Sequence, residues 1–491
     1  MKFVDTRDGC EISISIFEAI LSGKVSRGLL TFKNFPKKFE RGEIENLNFC
    51  EIAKKVLRKF FTILEFSEIE KIANGAFNSQ NFTDDEIVPF FKFDENLFSA
   101  QMWHGKTAAF KDIALSALPH FFEIALRKSA AEKVLILGAT SGDTGSAGEA
   151  GFENFAQSFL AILFPQNGRV SEIQKNQILN LQNERISAFA IDANFDFCQN
   201  EIVKKILNNE NFKREIFEKF KTKISTLNSI NIGRIIFQTI SFLKFSAENY
   251  AENFIAVIPT GNFGHAFSAF CARKLGARIS RICVATNEND GLFEFFENGK
   301  FALKNFQTTN SPSMDIAIAS NLERILFHFF GAARTDFLME NLQKKGAFEL
   351  SENELKNLRE IFCARRVSQN ETLHEIKKFF DEKKYLLDPH SAIAARAARE
   401  FQNEKVLFLE TAHWGKFPAT VLESGVFADE KFPKNEIEKM QKINEILREK
   451  NLNPRLPRFL KNLNPETKPP KKGNFKPTEK EFLEILRNLI L

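Results

Sequence analysis

Tyrosine is nearly absent from this chain of 491 residues. Two tyrosines stand against 56 phenylalanines. The phenolic hydroxyl is one of the side-chain groups that enzymes use as a general acid or base. The shortage therefore removes phenolic hydroxyls as acid–base groups over most of the chain.

Paired cysteines are missing as well. The cysteines are scattered, and none belongs to a Cys-x-x-Cys pair: Cys10, Cys50, Cys198, Cys271, Cys283 and Cys363. Zinc sites and disulfide frameworks show closely spaced or regularly paired cysteines. The sequence therefore predicts neither a metal site nor disulfides, and it favours the reducing cytoplasm as the location.

Long apolar runs and a strong charge of one sign are also lacking. No stretch of about 18 apolar residues occurs, which is the length that a membrane-spanning helix needs. Residues 1–7 do not open an apolar run, so no signal peptide is predicted. The 68 basic and 63 acidic residues give a net charge of +5, which is too balanced to predict nucleic-acid or membrane-surface binding.

The chain does contain one lysine in an unusual setting, within residues 101–114. A polar turn with Gly105 and Thr107 leads to Lys111, and after it apolar residues recur every three to four positions, which predicts a helix. A lysine at such a junction can be partly desolvated, which lowers its pKa and frees the amine as a nucleophile. Taken alone, a solvated lysine at a helix start is the commoner outcome.

Short apolar segments alternate with predicted helices from residue 96 onward. The segments span residues 133–137, 159–164, 188–191, 254–258, 281–285 and 406–409. Continuous apolar strands separated by helices predict a parallel sheet that is covered on both faces. Such sheets bind ligands at the carboxyl ends of their strands. Polar loops after three strands, at 138–145, 261–264 and 411–413, are therefore expected on one edge of the sheet.

The loop at residues 261–264 reads Gly-Asn-Phe-Gly and stands between a predicted strand and a predicted helix. Glycine lets the backbone approach a ligand closely, and a helix N-terminus points free N–H groups at an anion. The loop suits one phosphate, and it matches neither the dinucleotide nor the triphosphate motif. A plain tight turn is the alternative.

Four motifs together resemble the threonine synthase family. His-Gly-x-Thr-x-x-Phe-Lys-Asp at 104–112 precedes Ala-Thr-Ser-Gly-Asp-Thr-Gly at 139–145, Pro-Thr-Gly-Asn-Phe-Gly at 259–264 and Thr-Ala-His at 411–413. Each motif alone is weak, but four in the family's order form a specific signal. The resemblance covers roughly residues 1 to 425.

The resemblance implies a fold and a reaction. The fold is α/β, the pyridoxal phosphate (PLP)-dependent tryptophan synthase β-like fold (fold type II), with parallel sheets flanked by helices and a helical N-terminal domain. The implied enzyme is a PLP-dependent lyase of threonine biosynthesis. It converts O-phospho-L-homoserine and water to L-threonine and phosphate, as a monomer or homodimer without nucleic-acid or membrane partners.

The resemblance also assigns roles to residues. Lys111 would hold PLP covalently and move protons at the substrate Cα and Cβ, while a hydroxyl contacts the pyridine nitrogen. Asp143 would approach the ring, where it must share a proton with the ring hydroxyl if the two meet. The implied cofactor-binding residues are Lys111, Gly261, Asn262, Phe263, Gly264, Thr411 and Asp143. The implied substrate-binding residues are Thr140, Ser141, Thr144, Ser229, Asn231, Arg234 and Lys416, with Asn228 as a further candidate.

Structural alternatives stay open at several of these positions. The loop at 140–145 can be a turn with a helix cap, and the segment at 228–234 can be a capped helix start. His413 is favoured as a structural histidine. For the function, the alternatives are a serine or threonine dehydratase of the same fold and a degenerate homologue that binds PLP without turnover. The length and the N-terminal extension favour the synthase, and the intact Lys111 disfavours the degenerate homologue.

The chain departs from the family's usual pattern at a few positions. Lys106 replaces a proline in the turn before Lys111, and Trp414 and Gly415 replace proline and alanine after the last motif. Pro119 lies inside the predicted helix and is expected to kink it or to shorten its first part.

Composition divides the chain into three parts. We predict a mostly helical N-terminal domain at 1–95, a catalytic α/β body of two subdomains at 96–430 and a helical or flexible tail at 431–491. Within the tail, the Lys- and Pro-rich residues 468–473 indicate a flexible stretch, and a short amphipathic helix is expected after Thr478.

Overall fold

The computed structural model describes residues 2–9, 11–12, 15–23, 27–166, 170–249 and 252–490. Cys10 lies outside the described residues. Within them, strands and helices alternate along most of the chain, as the apolar pattern predicts.

The strands are short and most are separated by helices. In chain order they are β1 (Phe3–Asp5), β2 (Glu11–Ile12), β3 (Leu30–Phe32), β4 (Phe90–Lys92), β5 (Leu97–Gln101), β6 (Lys133–Ala139), β7 (Ser158–Pro165), β8 (Ile186–Ile191), β9 (Thr222–Thr226), β10 (Phe254–Pro259), β11 (Ile279–Thr286), β12 (Lys300–Ala302), β13 (Ala347–Glu349), β14 (Phe362–Arg366), β15 (Val406–Glu410) and β16 (Lys472–Phe475).

The α-helices vary in length from one turn upward, and the longest span, Leu322–Lys345, is broken by a kink at Gly331 (φ 77°). In chain order they are α1 (Ile16–Ser22), α2 (Phe49–Phe60), α3 (Phe66–Ala76), α4 (Lys111–Arg127), α5 (Asp143–Phe152), α6 (Glu172–Asn180), α7 (Lys204–Asn208), α8 (Glu210–Phe220), α9 (Ile232–Glu248), α10 (Gly264–Lys274), α11 (Gly291–Asn298), α12 (Leu322–Lys345), α13 (Glu352–Arg359), α14 (Gln369–Lys383), α15 (Pro389–Ala398), α16 (Pro418–Glu423), α17 (Glu436–Glu449), α18 (Arg458–Lys461) and α19 (Glu479–Ile490). A π-helix spans Phe197–Val203, and 3-10 turns span Pro312–Met314, Arg399–Phe401 and Trp414–Lys416.

Two parallel sheets form the body of the molecule. The first has the strand order β14-β11-β10-β15-β5-β4, and its neighbours run parallel except for the β4–β5 pair. The second has the order β16-β8-β7-β6-β9 and is parallel throughout. The strands β8, β10 and β15 are buried at every residue, which explains why their sequences are almost entirely apolar; Ser187 and Glu410 are the polar residues among them.

The N-terminal part packs on helices of this body. Its antiparallel sheet has the order β2-β1-β3, and α2 and α3 contact α9 and α4. A shared apolar core joins Ile52 and Val56 of α2 to Ile235 and Ile236 of α9. The boundaries at residues 95 and 430 stay predictions, because this core is continuous across the first of them.

Helix α4 runs from Lys111 through Pro119 to Arg127, so of the two effects expected of this proline a shortened helix is excluded, and the kink stays a prediction. Proline has no N–H for the carbonyl four residues earlier, which here belongs to Leu115. Gly151 of α5 approaches that carbonyl so closely that a Cβ at Gly151 would lie 2.1 Å from the Leu115 oxygen. The disturbed turn of α4 is therefore packed against the backbone of a neighbouring helix.

The C-terminal tail joins the second sheet. The helix expected after Thr478 is present as α19, which buries Phe482, Leu486 and Ile490. The stretch at 468–473 is held by hydrogen bonds rather than free. The amide of Gln182 donates to the Pro469 carbonyl (2.8 Å), and the end of this stretch begins β16 beside β8.

Within the described ranges, no helix is both long enough and apolar enough to cross a membrane. The same part of the chain contains no group of three or more His, Cys, Asp or Glu side chains that could hold a metal ion.

Candidate active site

A cleft that is open to solvent lies where loops that follow strands of both sheets meet. Loops after β6 and β9 come from the second sheet, and loops after β10 and β15 come from the first. Most of the predicted site residues line it: Lys111, Ser141, Asp143, Thr144, Ser229, Arg234, Gly261, Asn262, Phe263, Gly264 and Thr411. Thr140, Asn231 and Lys416 lie behind this lining.

Lys111 is the first residue of α4, and its amine reaches into the cleft. Its Nζ donates to Asp143 Oδ2 at 3.0 Å and lies 4.8 Å from the centre of the Phe110 ring. Burial lowers the pKa of the Lys111 ammonium; Asp143 opposes this shift, but the net direction is downward. A lysine with a lowered pKa supplies a free amine more readily, as a nucleophile requires.

Asp112 holds the turn that presents Lys111. Its carboxylate accepts from the Thr107 hydroxyl (2.8 Å) and from the N–H groups of Thr107 (3.0 Å) and Ala109 (3.3 Å). Gly105 leaves the necessary space, because a Cβ there would lie 2.2 Å from the Asp112 Cβ. The His-Gly-x-Thr-x-x-Phe-Lys-Asp motif is therefore a turn closed by its own aspartate, with Lys106 in the place of proline.

Asp143 is a buried carboxylate surrounded by donors. It accepts from Lys111 (3.0 Å), Lys416 (2.7 Å), Gln174 (2.6 Å) and the Ser313 hydroxyl (2.7 Å). Burial raises the pKa of Asp143, but the positive charges of Lys111 and Lys416 outweigh burial and hold the pKa well below its usual range. The carboxylate is therefore an anion that pairs with two lysines.

The structure does not bring Lys416 into the cleft, although the sequence predicted a substrate contact for it. Its ammonium is fully buried and donates to the Thr107 carbonyl (2.8 Å) as well as to Asp143. Thr140 is likewise used inside its own loop, where its hydroxyl accepts from the N–H groups of Gly142 (2.9 Å) and Gly145 (3.0 Å). Both side chains support residues of the cleft instead of lining it.

The loop at 261–264 has the geometry that the sequence suggests for a phosphate site. Phe263 adopts a left-handed conformation (φ 62°), and its ring packs 5.9 Å from Phe296 in the core, so the loop presents backbone to the cleft. Helix α10 begins at Gly264, and the first N–H groups of a helix have no partner within it. A Cβ at Gly264 would lie 2.9 Å from the Ser229 Cβ, which explains the glycine.

The segment at 228–234 divides into a helix cap, Asn231, and three residues that line the cleft, Asn228, Ser229 and Arg234. Asn231 caps α9 by accepting from the Gly233 N–H (3.0 Å), and its amide donates to the Ile20 carbonyl (3.0 Å). This is the capped helix start that the sequence left open, and it moves Asn231 away from the predicted substrate contact. Arg234 lines the cleft, and burial lowers its pKa to about 10.

Thr411 lies at the end of β15, and its carbonyl accepts from the Phe110 N–H at 2.9 Å. The side chain lines the cleft, as the predicted contact to a cofactor ring requires. His413 behaves as a structural residue: its Nδ1 accepts from the Gly415 N–H (3.0 Å), and its ring packs edge-to-face with the Trp103 ring, with the centroids 4.7 Å apart. Trp103 and Trp414 are both buried in this region.

The residues present fit PLP. The group is an aldehyde with one phosphate, and the cleft offers one buried amine and one glycine-containing loop at a helix N-terminus. Glycine at 261 gives this loop room, because a Cβ there would lie 3.2 Å from the Met314 Cα, which is backbone and cannot rotate away.

Comparison with known proteins decides the family. No family model matches the chain. A threonine synthase from Pseudomonas aeruginosa is 33% identical over 440 residues, which cover 87% of this chain and 91% of that protein. A threonine synthase from Corynebacterium glutamicum is 32% identical over 445 residues, covering 86% and 91%. The chain belongs to the threonine synthase family.

A solved structure of the threonine synthase family supports the fold assignment. The crystal structure of PLP-bound threonine synthase from Brucella melitensis matches the whole of this chain and 99% of that one, with a TM-score of 0.83 and 31% identity. The predicted resemblance and the predicted α/β fold of type II are therefore confirmed.

The threonine synthase motifs did not point to a second group of residues that supports Asp143. Ser313 donates its hydroxyl to Asp143, and its N–H donates to His390 Nε2 at 3.1 Å. His390 Nδ1 in turn lies 2.7 Å from Asp388 Oδ1. Nε2 is therefore the nitrogen of His390 that accepts, and Nδ1 is the nitrogen that faces the Asp388 carboxylate. The only sequence signal was the helix start Asp-Pro-His-Ser at 388–391, which shows no link to residue 143.

Proposed function

We propose that this chain catalyses the conversion of O-phospho-L-homoserine and water to L-threonine and phosphate as a PLP-dependent lyase. The observation that carries this proposal is the position of the Lys111 amine. It donates to Asp143 and lies in the same cleft as the 261–264 loop, in a chain that belongs to the threonine synthase family. A buried amine next to an anion site is the arrangement that a covalently held phosphate cofactor needs.

In this proposal, Lys111 binds PLP covalently and residues 261–264 bind its phosphate through backbone N–H groups. The Thr411 hydroxyl contacts the pyridine nitrogen as a neutral group. When bound, PLP accepts the negative charge that develops on the substrate carbon atoms.

The chain itself supplies binding and proton transfer. Ser141 and Thr144 lie at the start of α5, so their hydroxyls and the helix N–H groups suit the substrate α-carboxylate. Lys111, with its lowered pKa, would take one proton from Cα and a second from Cβ. After phosphate leaves Cγ, one proton returns to Cγ. Water then adds its hydroxyl at Cβ, its remaining proton goes to the phosphate, and the other proton returns to Cα. Asp143 keeps its charge and holds the ammonium form of Lys111 in place between these transfers.

We further propose that the protein acts in the cytoplasm on this small-molecule substrate, as a monomer or homodimer and without nucleic acid. The balanced charge and the scattered cysteines support this proposal. Light scattering on the purified protein distinguishes the two assembly states.

The decisive experiment compares two reactions of the purified, PLP-loaded protein. Phosphate and threonine are expected in equal amounts from O-phospho-L-homoserine, with little or no ammonia from threonine or serine. A Lys111→Ala variant is the control. Rapid release of ammonia and a 2-oxo acid from threonine, without release of phosphate from phosphohomoserine, would contradict the synthase function and indicate a dehydratase.

A further inference from the structure

Three buried polar side chains on the wall of the cleft have unused hydrogen-bonding atoms. Arg234, Gln238 and His265 all line the cleft, and all are more than nine-tenths buried. Among the described residues, no partner is found for Arg234 Nε, for either amide atom of Gln238 or for either ring nitrogen of His265. Buried polar groups are costly when unpaired, so such a cluster indicates a site that a ligand completes.

These side chains converge on one place beside Lys111. Arg234 and Gln238 are four residues apart on α9, so they share one face of that helix. His265 comes from the first turn of α10, and its ring stacks on Phe110 with a centroid distance of 4.7 Å and an angle of 3°. The stack fixes the plane of the imidazole and leaves both nitrogens at its edge.

The chemistry of the cluster suits a phosphate. Arg234 supplies a positive charge and N–H donors, Gln238 supplies an amide N–H group, and His265 supplies one ring N–H. Burial lowers the pKa of His265 to about 3, and Arg234 and Lys111 add to this shift, so the ring is a neutral donor at pH 7. Asp143, the carboxylate that lines the cleft in the described part of the chain, is already occupied by four donors.

The cluster is separate from the groups proposed for the cofactor. Residues 261–264 present backbone N–H groups at the start of α10, whereas this cluster presents side chains of α9 and α10. It shares Arg234 with the substrate set that the sequence predicted and adds Gln238 and His265. Asn231 and Lys416, which that set also contained, already use their polar atoms within the protein.

We propose that Gln238 and His265 complete, together with Arg234, the subsite that binds the phosphate of O-phospho-L-homoserine. This inference rests on the proposed function. Arg234 carries the charge, while the Gln238 amide and the His265 ring bind two further phosphate oxygens. The subsite places the leaving group of the substrate against α9, beside the Lys111 amine that moves the protons.

The test uses the PLP-loaded protein and the variants Gln238→Leu, Gln238→Glu and His265→Phe. His265→Phe keeps the stack on Phe110, and Gln238→Glu keeps the shape of the side chain while adding a repelling charge. The matched control is Ser241→Ala: Ser241 is three residues beyond Gln238, and its buried hydroxyl has no partner in the described residues, but it does not line the cleft.

The measurements are the KM for O-phospho-L-homoserine, the inhibition constant of inorganic phosphate and the retention of PLP. We expect the KM and the inhibition constant to rise about tenfold or more in Gln238→Leu and His265→Phe, and further in Gln238→Glu, with PLP retained. Ser241→Ala is expected to match the parent. If Gln238→Leu does not fold, the KM and the phosphate inhibition constant of Gln238→Glu decide the test.

Two outcomes overturn the inference. The first is an unchanged KM and an unchanged phosphate inhibition constant in the folded variants. The second is loss of PLP with unchanged phosphate inhibition, which would assign the cluster to the cofactor phosphate. A parent that releases no phosphate from phosphohomoserine, while its variants still bind inorganic phosphate more weakly, would support the anion subsite and overturn the proposed function.

Discussion

Lys111 is the residue on which the proposed chemistry depends, since its amine is the nucleophile in the cleft. Lys111→Ala is expected to lose the visible absorption of bound PLP and the adduct that borohydride traps. Lys106→Ala is a matched control, because Lys106 belongs to the same turn but does not line the cleft. If Lys111→Ala were trapped as well as the parent, a different lysine would hold the cofactor.

Asp143 is expected to contribute to stability as well as to the site. Asp143→Asn removes the partner of two lysines, and Lys416 has no exposed surface on which to be solvated. Breaking one side of a buried ion pair typically lowers the free energy of unfolding by about 3–5 kcal/mol. Urea unfolding at pH 7 measures this loss, and the double variant Asp143→Asn/Lys416→Met should recover part of it.

The contribution of Asp143 should also depend on pH in a defined direction. Its pKa is lower in the folded chain than the value of about 3.9 in an unfolded chain. The stabilisation is therefore fully present above the unfolded value and is lost as the pH falls through the folded one. The gap in unfolding free energy between parent and Asp143→Asn should be constant above about pH 5 and shrink below about pH 4; a gap that widened in acid would contradict the ion pairing.

Single residues were predictable from the sequence where their role is local. Lys111 stands where a turn enters a helix, and the 261–264 loop joins a strand to a helix; both junctions are visible in the apolar pattern. Asn231 and Lys416 were predicted to contact the substrate because they lie in matching motifs. In the structure each donates hydrogen bonds to a backbone carbonyl that is distant in the sequence. Ser313 and His390 support Asp143 although they are far from it in the sequence. The spacing of apolar residues predicts helices and strands but not contacts between such distant side chains.

At the scale of helices, the crossing of α4 and α5 depends on Gly151. Alanine there would gain about 1 kcal/mol in helix propensity, but its Cβ would lie 2.1 Å from the Leu115 oxygen, which is backbone and cannot rotate away. We expect Gly151→Ala to lower the free energy of unfolding by on the order of 1–3 kcal/mol. It should also lower activity, because α4 begins with Lys111 and α5 begins with Asp143.

Gly148→Ala provides the control for this crossing. A Cβ at Gly148 would meet the Leu227 Cδ1, the end of a flexible side chain that can change rotamer. Chemical unfolding of the two variants should therefore rank Gly148→Ala as the milder one. Equal losses would mean that the close approach of α5 to the Leu115 carbonyl does not limit the packing.

At the scale of the whole molecule, an ion pair beside the cleft links the two sheets. Asp143 follows β6 of the second sheet, whereas Lys416 follows β15 of the first, and the Phe110 N–H ties the Lys111 turn to the Thr411 carbonyl. The apolar segments predicted the strands and their burial on both faces. They could not divide the strands between two sheets, since burial says nothing about which strand is the neighbour.

The aromatic composition has an optical consequence at this same scale. The chain has two tryptophans and two tyrosines, and both tryptophans, Trp103 and Trp414, are buried next to the last motif of the cleft. Light emitted by this protein therefore comes almost entirely from one neighbourhood. Tryptophan fluorescence would follow the loading of a chromophore into the cleft, or the loosening of its walls, without any attached label.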